Sequence, residues 1–205
     1  MATTREVLDT PGLGPHLLAS WELRRLEAIR VPARKDDVLA ARLLLRLCAA
    51  RVTGGSPAAT RLAQRCPDCG QDGHGRPYLP AHPGLGISLS HSDGLVAAAA
   101  APGPVGVDVE PAARRPGPLP VLRRVLPAAD LEEAIAARPD PGPALLRAWV
   151  RAEARFKAGP PPPEAVHPVT VQEWTDRHRA AVAAVAATVP PSVLPPAALL
   201  GAPGR

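Results

Sequence analysis

Proline sets the limits on this chain. Twenty-eight of its 205 residues are proline and 17 are glycine. Proline removes a backbone donor and fixes φ, so it closes helices and is excluded from central strands. Regular elements can form only in the windows it leaves open. The best helix is KDDVLAARLLLRLCAAR, residues 35–51. There Val38, Leu39, Ala41, Leu45 and Cys48 recur at helical spacing, and Asp36 and Asp37 sit at the favourable N-terminal end. Upstream, LLASWELRRLEAIR (17–30) predicts a second helix, with Ser20 a candidate cap and Pro32 its stop. Residues 1–14 read as extended, and 61–86 as an irregular connection.

The next windows read as strands. Ile87 and Leu89 alternate with serines in ISLS. The alanine run 97–101 is too short, between glycine and proline, for a stable helix, so a buried strand is predicted. VGVDVE (105–110) alternates strictly and stops at Pro111. A proline-rich loop at 111–120 precedes two helices, 127–138 and 143–158. Strands follow at 169–174 and 178–189, and 191–205 reads as a disordered tail. Each half runs helices, linker, then a strand pair ending in LVAAAAA or AAVAAVAA. This weak symmetry, which Ala-rich composition can also mimic, predicts an α+β fold of two similar halves divided as 1–104, with the cysteine-bearing linker, and 105–190.

Composition narrows the function classes. Hydrophobic residues make up 46% and charged residues 21%, ordinary globular usage. No apolar run reaches the roughly 18 residues that span a bilayer, so no membrane role is expected. MATTREVLDTPGLG has no signal-peptide pattern, and the expected location is cytoplasmic. The formal net charge of +5 favours an anionic partner. Arginine dominates the basic residues; lysine occurs only at 35 and 157. Single arginines therefore carry little information, and a lysine carries more.

Three groups of residues could carry chemistry. Asp108 and Glu110 are two apart on a strand, so both carboxylates share one face, roughly 6.6–7 Å apart at the backbone. Buried acids need a partner, and a hard cation is the usual one. In RAWVRAEARFKA (147–158), Glu153 and Lys157 share a helix face at i,i+4. Lysine supplies a compact, strongly hydrated charge that suits phosphate and proton transfer. Ser90 and His91, with Ser92, close the ISLS strand and could meet a phosphate. Arg76 lies in GRPYL, and Arg42 and Arg46 share a helix face.

GRPYLP, ISLSHSDG, VGVDVEP and WVRAEARFKA, in that order over residues 34–158, resemble the Sfp-type 4′-phosphopantetheinyl transferases. A weaker echo of the final strand falls at 178–188. The resemblance implies a Mg²⁺-dependent enzyme that moves the phosphopantetheine of coenzyme A to a serine of an acyl or peptidyl carrier protein, releasing 3′,5′-ADP. It implies Asp108, Glu110 and Glu153 as Mg²⁺ ligands, with Glu153 also the general base. Lys157 would contact the pyrophosphate. Ser90 and His91 would meet the 3′-phosphate end of coenzyme A, with Arg76, Arg42 and Arg46 as further coenzyme contacts. The implied carrier presents an acidic surface in fatty acid, polyketide or nonribosomal peptide synthesis, and the implied fold is a pseudo-dimer of two α+β halves with the coenzyme in the cleft between them, acting as a monomer. The pattern departs from the family at Arg76 and Ala152, each replacing a usual Lys, and in the proline-rich segment after Gly159. Restoring Lys at 152 is expected to leave activity unchanged or raise it. A catalytically weakened paralogue of the same fold is the alternative.

Cys66-Pro-Asp-Cys69, with His74, has the spacing of a zinc half-site. Structural zinc takes four ligands, and the sequence offers no second Cys-x-x-Cys, so a metal-free loop is expected. A basic zinc-knob protein that binds nucleic acid is the remaining alternative. It predicts clustered basic charge with stacking aromatics, and with five aromatic residues in the chain no nucleic-acid partner is expected.

Overall fold

The computed structural model describes residues 1–160, 167–194 and 198–199. Two three-stranded antiparallel sheets, each backed by a long helix, meet edge to edge. The first sheet has the order β1-β5-β4, built from β1 (Ala2–Thr3), β4 (Leu85–Ser92) and β5 (Leu95–Pro102). Asp93 and Gly94 join β4 to β5 with φ of 44° and 83°, the positive values a tight two-residue hairpin needs. The alanine run forms β5 as expected, and its small side chains let α3 (Pro32–Thr53) lie close against it. Leu43 and Leu44 of α3, with Val96, Val7 and Leu26, form the core beneath this sheet.

The second sheet has the order β6-β8-β7, from β6 (Val105–Pro111), β7 (Thr170–Asp176) and β8 (Ala181–Ala187). Every residue of the central strand β8 is buried, which the AVAAVAA run suits. Helix α6 (Gly142–Ala158) covers one face, where Leu146, Val150 and Ala154 pack on Val182, Ala184 and Ala186. Beside it lie α4 (Leu119–Val125) and α5 (Ala128–Ala136). The two sheets join where β4 meets β6: the Val107 amide donates to Ser88 Oγ at 3.1 Å.

Several expectations change. Residues 1–14 are not simply extended, because Thr3 and Glu6 form a capping box that starts α1 (Thr4–Leu8). The helix expected over 17–30 is a 3₁₀ turn at Pro15–Leu17 followed by α2 (Ser20–Glu27). Pro32 does not stop that helix but begins α3, where a missing amide hydrogen removes no intrahelical bond. The connection 61–86 contains a hairpin, β2 (Ala63–Arg65) with β3 (Arg76–Tyr78). The loop 111–120 ends earlier than expected, since α4 begins at Leu119. Of the tail, 191–194 carries no regular structure, and 195–197 and 200–205 lie outside the described residues. Among the described residues no helix is long and apolar enough to cross a membrane.

Candidate active site

Strand periodicity places Val107 and Val109 in one apolar cluster, with Leu95, Ala97 and Ala183. Gly106, Asp108 and Glu110 occupy the opposite face, toward α6. Gly106 fixes how near that helix comes. A Cβ there would collide with the Ala154 carbonyl oxygen and the Ala158 amide nitrogen, so only glycine admits the helix backbone at this depth. One turn along, Lys157 then reaches Asp108.

The contacts around Asp108 are short. Lys157 Nζ donates to Asp108 Oδ1 at 2.7 Å and to Ser90 Oγ at 3.0 Å, and Ser90 Oγ donates to the same Oδ1 at 2.7 Å. Asp108 is 4% exposed, and its other oxygen, Oδ2, is buried with no hydrogen-bond partner. A buried, unpaired carboxylate oxygen is costly and marks a place where a further cation or donor fits. Glu110 is also buried and accepts from Arg114 Nη1 at 2.7 Å, while Arg114 Nη1 donates to Ser92 Oγ at 2.8 Å. Burial pushes the Glu110 carboxyl up, and the Asp108 charge adds to it against Ser92 and Arg114. Glu153 is raised likewise, first by burial and then by Asp108 and Glu110, with Lys157 opposing. Glu110 and Glu153 thus both feel the Asp108 charge. Their oxygens do not all approach within 4.8 Å: among the described residues that closeness is reached by Cys66, Cys69 and His74. Lys157 is the cation in contact with Asp108 here.

His91 follows Ser90 on β4 and faces a cavity of about 910 Å³ whose walls include Thr4, Arg34, Asp37, Ser92 and Arg114. Burial lowers the His91 pKa; Asp37 opposes this, while Lys157, Arg34 and Arg42 reinforce it. Arg114 lines this cavity and also holds Glu110, so the cavity and the acidic cluster share a wall. Sequence reasoning missed Arg34 and Arg114. In an arginine-rich chain neither stands out, though Arg114 lies four residues beyond Glu110.

The remaining candidates separate. Arg76 opens β3, and its Nη2 donates to the Phe156 carbonyl at 2.9 Å, beside Lys157. Arg42 and Arg46 are not brought to the carboxylates. Both guanidiniums close on the buried Glu22 of α2, Arg42 at 2.7 Å and Arg46 in a shorter pair. At 1% exposure, Arg46 has no surface to offer a ligand. Arg42 lies 5.0 Å from the Trp21 ring, a cation–π stack. Ala152, 8% exposed, packs among Leu122, Leu126, Leu131 and Ala148.

No family model matches the chain. Over 139 residues it is 27% identical to a protein of Bacillus subtilis named 4′-phosphopantetheinyl transferase, a match that takes in 65% of this chain and 58% of that protein. The chain therefore spans well under two thirds of the length of this relative.

Proposed function

We propose that the chain is an Sfp-type 4′-phosphopantetheinyl transferase acting on coenzyme A and a carrier-protein serine. The observation that carries this reading is the buried Asp108, with Oδ1 held by Lys157 and Ser90 and Oδ2 without a partner. The named relative supports the same reaction class. The two sheets with their long helices are read as two related halves, and the site as lying at their junction.

The donor set fits Mg²⁺. It is made of hard carboxylate oxygens, partly desolvated, and Asp108 Oδ2 has no hydrogen-bond partner. Asp108, Glu110 and Glu153 would hold the ion, which supplies charge neutralisation for the pyrophosphate. The rest falls to the chain itself. Lys157, which donates to Asp108 Oδ1, would reach the pyrophosphate oxygens of coenzyme A. Glu153 accepts the proton of the carrier serine. That serine oxygen forms the new bond to the β-phosphorus as the bond to the bridging oxygen breaks, and 3′,5′-ADP leaves with the electron pair. His91 faces the phosphate end of the coenzyme, where Arg34 and Arg114 stand among Asp36, Asp37 and Asp93 to meet its oxygens, while the Ser90 hydroxyl stays on Asp108. Arg76 steadies the end of α6 from which Lys157 projects. The positive net charge suits an acidic carrier surface.

The test is mass spectrometry of apo-carrier proteins incubated with the protein, coenzyme A and Mg²⁺. A gain equal to one phosphopantetheine on serine is expected, and Asp108→Ala should abolish it while far-ultraviolet circular dichroism stays unchanged. Transfer at the wild-type rate by the variant overturns the metal assignment. Coenzyme A binding without transfer to any carrier would leave the fold reading and identify the weakened paralogue.

A further inference from the structure

We propose that Cys66, Cys69 and His74 bind a zinc ion, with water in the fourth position, and that the ion staples the β2–β3 hairpin that carries Arg76. The ligand count argued for a metal-free loop, but the structure assembles the three side chains. Their ligand atoms all lie within 4.8 Å of one another. Cys69 Sγ stands 3.3 Å from His74 Nε2. Four tetrahedral ligands about a zinc ion, at about 2.0–2.3 Å each, sit at comparable mutual separations.

The backbone is shaped for the same purpose. The Gly70 amide returns to the Cys66 carbonyl at 3.0 Å, and the Cys66 amide to the Gln71 carbonyl at 3.0 Å, which folds Cys-Pro-Asp-Cys into a tight knuckle. Gly70 and Gly73 have φ of 70° and 90°, two left-handed positions that bring His74 back to the knuckle, and Gly75 follows it with φ of 85°. At Gly75 a Cβ would strike Arg65 and Cys66, so glycine is required for the return.

Soft thiolates with imidazole select zinc over Mg²⁺, so this site and the carboxylate cluster call for different ions. Binding releases the two thiol protons and leaves His74 neutral. The ring Nε2 faces the sulfurs. Arg76 is two residues beyond His74 and bonds to the Phe156 carbonyl, so the staple sets the hairpin's position over the end of α6. The third cysteine, Cys48, lies in α3 with its thiol pushed up to about 11 by burial, and serves as an internal control.

The experiment is elemental analysis of protein purified without chelator, followed by Co²⁺ titration of the reduced apo-protein. About one zinc per chain is expected, with thiolate-to-cobalt charge-transfer and tetrahedral ligand-field bands on substitution. Cys66→Ser and Cys69→Ser should lose both signals. His74→Ala, which leaves the knuckle intact, should keep the charge-transfer band but bind more weakly. Cys48→Ser should change neither. Removing the metal should speed amide exchange over residues 63–78 and leave β8 unaltered. The proposal is overturned by the absence of both zinc and cobalt bands, by a Cys66–Cys69 disulfide in protein isolated without oxygen, or by exchange that ignores the metal. None of these readouts depends on transferase activity.

Discussion

At the scale of single residues, a charge is defined by what lies across from it. Asp108, Glu110, Glu153 and Lys157 were legible from spacing, because i,i+2 on a strand and i,i+4 on a helix each name one face. Spacing also put Arg42 and Arg46 on one face, but it could not say that Glu22, twenty residues earlier, would meet them there. The same limit applies to Ala152. Read as a lost charge, it invited restoration of the lysine; in the structure it faces Leu122, Leu126 and Leu131. A lysine there must carry its ammonium past apolar neighbours to water. Ala152→Lys should therefore destabilise the protein by about 1–3 kcal/mol, the range for overpacking a filled core, seen as a lower urea midpoint. A midpoint equal to wild type would mean that α4 and α5 yield easily.

At the scale of elements, the approach of α6 to β6 turns a motif into a site. The Gly-x-Asp-x-Glu pattern reads as strand chemistry, yet its glycine acts on the helix, by admitting the backbone at Ala154 and Ala158. Gly106→Ala should push α6 outward and cost about 1–3 kcal/mol; on the proposed function it should also weaken both transfer and coenzyme A binding, because Glu153 and Lys157 move with the helix. Guanidinium unfolding and calorimetry check the two parts separately, and a normal transfer rate would refute the close-approach argument. Long elements were legible because periodicity accumulates over them: α3, α6, β5, β6 and β8 all fall where the windows between prolines put them. The β2–β3 hairpin was not, since three-residue strands give no period to read and glycine-rich flanks resemble any loop. Pro32 misled because proline marks a helix start as well as a stop.

At the scale of the whole molecule, one ion pair ties the first helix to the last hairpin. Arg179, in the turn between β7 and β8, bonds both carboxylate oxygens of Glu6 in α1 and also holds Asp176. No local pattern announces a pair 173 residues apart. Arg179 beside Glu6 holds its carboxyl down at about 2, against an ordinary value of 4.5, with burial opposing. A depressed carboxylate stabilises the fold above its unfolded pKa, and the benefit drains away as pH falls from 4.5 toward about 2. Glu6 is 37% exposed on its side chain, so solvent screening keeps the contribution near the surface-pair range, about 0.2–1 kcal/mol. Glu6→Gln should lower the melting temperature at pH 7 by no more than about 2–4 °C. The gap between variant and wild type should shrink steadily between pH 4.5 and the acid limit of the fold. No gap at any pH would show that Glu6 acts through its cap on α1, which Gln can also make, and a gap that persists unchanged at pH 3 would show that the loss does not come from its charge on Arg179.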